Sequence, residues 1–153
     1  MPIHDEIRAL GWLQGSFFSE ANNGRLAELI GAEIPEGSLA LVITHTCDLV
    51  HPSIRAEPYV ELIVATRLIG NPDPGCENCR STRKLHLPVQ YSDGRTGHIE
   101  LKQAATCRIS RELLQELPPS RDVSLSHDEK IKLTSWLALR YMRATFPDNF
   151  ERR

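Results

Sequence analysis

The stretch that most constrains the fold is Leu39-Ala40-Leu41-Val42-Ile43-Thr44. It is short, apolar almost to its end, and bounded by the turn residues Pro35-Glu36-Gly37 before it and polar residues after it. Such a run reads as a buried central strand rather than a helix. It turns polar at once, into Thr44-His45-Thr46-Cys47-Asp48. Side chains at the end of a buried strand can point out of a rigid scaffold into a cleft, so this strand end is the first place to look for function.

The segments around it supply partners. Residues 5–14 suggest a short helix, handing over to a strand around 12–18 with Gly15 near a turn. Asn22-Asn23-Gly24 is a turn, followed by a helical piece with Leu26, Leu29 and Ile30 on one face and Gly31 as its stop. Residues 51–58 read as a loop and Tyr59–Thr66 as the next strand. Residues 70–84 form a Gly/Pro/Asn-rich loop. Leu85–Val89 and His98–Leu101 alternate as strands about an Asp93-Gly94 hairpin turn, Pro88 placing the first at an edge or strand end, and Thr106–Ile109 is a further strand. Ser110 can cap a helix over 111–117, ended by Pro118-Pro119. Ser126 and Glu129 form a capping box for a longer helix, with Leu133, Trp136, Leu137 and Tyr141 on one stripe, Arg140 covering it with its stem, and Pro147 beyond its end. Short strands followed by helices predict an α+β domain, a small curled barrel with C-terminal helices packed on it.

The chain has 153 residues, 41% hydrophobic and 25% charged, which suits one globular domain over 1–153, with a barrel near 10–109 and a helical part near 110–145. A net charge of −2 gives no global field for collecting nucleic acid or acidic membrane, so any such contact must be local. No run approaches the roughly 18 apolar residues of a membrane span, and Met1–Glu6 lacks a signal-peptide core, so the expected compartment is the cytoplasm and no membrane partner is expected. In that setting the four cysteines are expected as thiols or metal ligands rather than disulfides.

Four constellations can carry chemistry. In His45-x-Cys47-Asp48-x-x-His51, His45 and Cys47 share a face if the strand continues. Cys and His can make a thiolate nucleophile or bind zinc. The plain alternative is a buried Cys47 and a turn-forming Asp48. In Glu57-Pro58-Tyr59-Val60-Glu61, alternation puts Glu61 on the face of Ile63 and Ala65, a carboxylate in an apolar strand. With Asp48 and Glu57 it can form an acidic corner holding a divalent metal or an acid/base pair, or it can be a structural ion pair with Arg67 or Arg83. Cys76-x-x-Cys79 is half a zinc site, to be completed by His45, Cys47, His51, His86 or Cys107, or else two incidental loop cysteines. The run Arg80-Ser81-Thr82-Arg83-Lys84, with His86 behind it, can grip phosphates and be extended by Arg140, Arg143, Arg152 and Arg153, or it is a solvated surface.

With this strand order, the chain resembles the MazF/PemK (Kid) toxins. Gln14-Gly15-Ser16 stands at their opening Gly-Asp strand, Leu39–Thr44 at their Pro-Ala-Leu-Val-Leu-Ser strand, Glu61–Thr66 at the strand ending Pro-Ile-Thr, and Lys102-Gln103-Ala104-Ala105-Thr106 at Asp-Gln-x-Arg-Thr. Their closing helix corresponds to the one after Leu125-Ser126. The chain is also similar to a family of uncharacterised bacterial proteins, through Gln14-Gly15-Ser16, Thr44–Leu49, Glu57–Glu61 and Arg83–Leu87. The first resemblance implies an SH3-like barrel, endoribonuclease activity in a toxin or defence setting, RNA as substrate, an antitoxin or other protein partner, and a homodimer. Two departures stand out: Gly37-Ser38 occupies the place of the toxins' catalytic arginine, and Ser16 that of their aspartate. The expected roles are therefore His45, Asp48 and Glu61 as acid/base or metal groups, with Glu57 and Cys47 beside them. Arg80, Arg83, Lys84 and His86 are expected on phosphate. A rival expectation is a zinc-stabilised interaction module, with zinc held by Cys47, Cys76, Cys79 and Cys107.

Overall fold

The structure, a computed structural model, describes residues 1–144, with side chains to residue 140. Tyr141 and Arg143 of the expected stripe and basic patch, and Pro147, Arg152 and Arg153, lie outside the described side chains or residues. The elements run α1 (Ile3–Ala9), α2 (Asn23–Ile30), β1 (Leu39–Val42), α3 (Thr46–Leu49), β2 (Tyr59–Arg67), α4 (Pro74–Glu77), β3 (Lys84–Tyr91), β4 (Thr96–Lys102), β5 (Thr106–Ser110), β6 (Val123–Ser124) and α5 (His127–Ala144).

β1 is the central strand the sequence predicts, buried at every residue. It pairs antiparallel with β2, Leu39 opposite Ala65 and Val42 opposite Leu62. β2 is longer than any one partner. Its first half pairs with β5 (Tyr59↔Ser110 to Ile63↔Thr106), and its last residues pair with β4 (Thr66↔Glu100, Arg67↔Ile99). Changing partners along one strand bends the sheet, and the order β1-β2-β4-β3-β6, with β5 on β2, makes a strongly curled antiparallel half-barrel. The expected α+β fold, a small SH3-like curled barrel, is the observed one.

Side chains alternate across β1 and β2 and so build two cores. Leu39, Leu41, Ile63 and Ala65 face the barrel interior, closed by Leu133, Trp136 and Leu137 of α5. Ala40, Val42, Val60 and Leu62 face the other way, onto Ile7, Trp12, Phe18, Leu26 and Leu114. There the Trp12 and Phe18 rings pack at 4.8 Å. Each buried Leu, Ile or Val side chain among them contributes about 1.5–3 kcal/mol by leaving water.

Three expectations change. Residues 12–18 form no strand: Gly11 and Gly15 take φ of +85° and +89°, and only isolated bridges at Phe17 and Phe18 remain. The segment still runs along β1, with Gly15 N donating to Val42 O at 2.8 Å and Phe18 N to Ala40 O at 2.8 Å. Second, residues 111–115 form a 3-10 turn rather than an α-helix, and the Ser110 side chain caps nothing. One long C-terminal helix therefore packs on the barrel, not two; the Ser126 hydroxyl accepts from Glu129 N at its start. Third, the strand ends at Val42 rather than running to Thr44, and the chain winds into α3.

Candidate active cleft

The end of β1 is pinned before the chain turns. Ile43 N donates to Glu61 O, and Glu61 N donates to the Thr44 hydroxyl at 2.7 Å. His45 then sits at the N-cap of α3. Its Nδ1 accepts the Cys47 amide at 3.2 Å, the role a Ser or Asp oxygen has at other helix starts. This leaves the ring proton of neutral His45 on Nε2. The expected strand continuation fails here, so the Cys–His pair does not share a strand face. The Cys47 side of the turn is exposed to solvent.

Gln14 fastens this turn to the rest of the barrel. Its backbone N donates to Thr46 Oγ1 at 3.1 Å and its side-chain amide to Ile43 O at 2.8 Å, while the Thr134 hydroxyl of α5 reaches its side-chain oxygen at 3.1 Å. The loop beyond α3 is held from below by Arg111, which is fully buried. Its Nε donates to Glu57 O, its Nη1 to Leu49 O and His51 O, all at 2.8 Å, and its Nη2 to Ser53 O at 3.1 Å. Burial pulls the Arg111 pKa down, and the Glu57 and Asp48 carboxylates push it back up.

Between this loop, the start of β2, β5 and α5 lies a cleft of about 540 Å³. His45, Asp48, Glu57 and Glu61 all line it, so four of the five expected catalytic side chains come together; Cys47 does not line it. Gln14, Tyr59 and Arg108 complete the polar wall, and Leu137 and Ala138 of α5 the apolar one. Arg108 stands directly opposite Glu61 in the β2–β5 ladder, and its guanidinium lies 4.6 Å over the Tyr59 ring. Of the arginines proposed as ion-pair partners of Glu61, Arg67 bonds Glu20 instead, and Arg83 lines a different cleft.

The basic run divides. Arg83 and Lys84 line a second cleft with Lys102 and Arg140, while Arg80 lies exposed outside it. His86 cannot reach phosphate. It is 5% exposed, with Nδ1 accepting from Asp73 N at 3.0 Å and Nε2 bound to Glu100 Oε2 at 2.8 Å. It anchors the cysteine loop to the sheet, and the Asp73 carboxylate caps α4.

The four cysteines do not assemble. Cys47 is on α3, Cys107 on β5, Cys76 within α4, and Cys79 just after it at φ +58°, with its Sγ 3.7 Å from Lys132 O. Burial pushes the thiols of Cys76, Cys79 and Cys107 up from the usual thiol range. Among the described residues, no three His, Cys, Asp or Glu side chains are grouped to hold a metal, at the acidic corner or at the cysteines. The expected zinc set and the metal alternative for Asp48, Glu57 and Glu61 therefore do not fit this geometry.

In comparisons with known proteins, no family model, no curated protein and no solved structure matches the chain. Fold and site together define a class: a small curled antiparallel barrel with an acid–imidazole–guanidinium cleft at one end. Among the described residues, no helix is long and apolar enough to cross a membrane.

Proposed function

We propose that the protein is an RNA-cleaving barrel of the toxin or defence type, acting in the cytoplasm, with its reaction centre in the His45–Glu61–Arg108 cleft. The observation that carries this reading is the convergence of an imidazole, carboxylates and a guanidinium in one cleft. The resemblance of the strand order to the MazF/PemK toxins supports it. Cleavage of an RNA phosphodiester by its own 2′-hydroxyl requires a base for that hydroxyl, a proton for the departing 5′-oxygen and stabilisation of the charge on phosphorus. Glu61 takes the 2′-hydroxyl proton as the 2′-oxygen bonds to phosphorus. It returns that proton to the 5′-oxygen as the P–O5′ bond breaks, leaving a 2′,3′-cyclic phosphate and a 5′-hydroxyl. Arg108 meets the negative charge on the phosphoryl oxygens. His45, with its Nδ1 occupied as a helix cap, presents Nε2–H as a hydrogen-bond donor to the same group. Arg108 thus fills the role that sequence reasoning gives to Arg83.

The test uses purified protein, RNA of mixed sequence, and mass analysis of the new ends. Cyclic phosphate ends are expected, with Glu61→Gln and Arg108→Gln each slowed at least about 100-fold. His45→Asn keeps a cap-forming oxygen and so separates chemistry from folding; it is expected to melt like the parent and cut more slowly. Wild-type protein that cuts no RNA, or Glu61→Gln cutting at the parent rate, overturns the reading.

A further inference from the structure

The second cleft, about 500 Å³, lies at the open end of the β3–β4 ladder. Lys84 and Lys102 stand directly opposite each other there. Like charges in facing positions work against the sheet, so the fold does not account for this pairing. Arg83 and Arg140 flank the two lysines. The neighbouring carboxylate is Glu100, with Oε1 3.6 Å from Lys102 Nζ and Oε2 taken by His86. Among the described residues, four cations and no carboxylate line the cleft, in a chain whose net charge is −2. The concentration of positive charge is local and concave, the form that follows a polyanion backbone.

The two clefts lie on either side of one strand segment, β5. Arg140 Nη1 donates to the Thr106 hydroxyl at 3.1 Å, which fixes its guanidinium against β5. Thr106 and Arg108 are two residues apart on that strand and so share a face, with their backbones about 7 Å apart. A single phosphodiester chain gripped at Lys84, Lys102 and Arg140 therefore leads directly to Arg108. There Tyr59, half exposed, lines the cleft with the Arg108 guanidinium over its ring.

We infer that the Arg83–Lys84–Lys102–Arg140 cleft is a backbone track for single-stranded RNA, holding phosphates on one side of the scissile bond. The direction of the strand rests on the proposed reaction centre; the grip on phosphate does not.

The experiment measures binding of a fluorescein-labelled 2′-O-methyl oligoribonucleotide of about ten residues, which has no free 2′-hydroxyl to attack phosphorus, across a range of salt. Lys84→Gln, Lys102→Gln and Arg140→Gln are each expected to weaken binding about three- to tenfold at low salt. Each should also flatten the plot of log Kd against log salt by about 0.7, one counterion's worth for a single strand. Arg121→Gln, outside the cleft, should leave the slope unchanged. Each lysine variant relieves the like-charge pair but gives up an attraction to Glu100, so it is expected to melt within a few degrees of the parent. Variants that keep the parent slope, or a parent protein that fails to bind the strand at low salt, overturn the track. Slope changes as expected in a protein that cuts no RNA would remove the reaction centre and leave the track. RNA cleavage with unchanged KM in all three variants would remove the track and leave the reaction centre.

Discussion

Replacing Arg111 by alanine strips donors from four backbone carbonyls at once, those of Leu49, His51, Ser53 and Glu57. Carbonyls left dry cost far more than the net value of the bonds themselves. A loss of about 3–5 kcal/mol is expected for Arg111→Ala, read from urea unfolding. Arg111→Lys keeps the charge and loses the fork, so it should recover only part of that loss. Nothing local in the sequence distinguishes Arg111. It follows Ser110 in what reads as a helix start, and its burial comes from a loop some sixty positions away in the chain. Arg108 was missed for a similar reason: its place opposite Glu61 depends on the register of two distant strands. Glu61 was legible because alternation alone puts a carboxylate on an apolar strand face. His86 was misread because a histidine after a basic run looks like surface until the Asp73 amide and Glu100 are found on its ring nitrogens.

The β3–β4 hairpin has a titration of its own. The hydrogen bond from His86 holds the Glu100 carboxyl below the usual carboxylate range, against the desolvation that would raise it, with Lys84 and Lys102 adding to the effect. Because the folded-state value is depressed, the stabilisation is complete above the unfolded carboxylate value near about 4.3 and is lost as pH falls through the lower folded value. Glu100→Gln is therefore expected to cost about 1–2 kcal/mol at pH 7, where it also leaves Lys84 and Lys102 without their counter-charge. Thermal melts of variant and parent should converge as pH falls below about 4. This hairpin was readable from its Asp93-Gly94 turn and alternating strands. The α3 turn was not, because its cap is an imidazole and not one of the usual capping oxygens. The 3-10 turn at 111–115 was not either, since a capping serine before an apolar stretch predicts helix, and the inward Arg111 side chain is invisible locally.

The whole molecule has two cores on opposite faces of one sheet, with β1 and β2 feeding both. Alternate residues of the same two strands feed the two cores, so neither core can come apart without disturbing the other, and a single cooperative unfolding transition is expected. The two tryptophans test it, since Trp136 lies in the barrel core and Trp12 in the outer one. In Trp12→Phe the fluorescence reports Trp136, and in Trp136→Phe it reports Trp12. In each variant the fluorescence midpoint should coincide with the midpoint from circular dichroism. Separated midpoints would mean that the cores melt independently. The barrel was legible at this scale because strand signals precede helix signals along the chain. The second core was not, because α1, Trp12 and Leu114 are brought onto β1 and β2 from distant parts of the sequence. That outer layer limits how far the molecule can be trimmed. A minimal barrel without residues 3–30 would uncover much of the apolar face made by Ala40, Val42, Val60 and Leu62, and such a fragment would self-associate before it served as a scaffold.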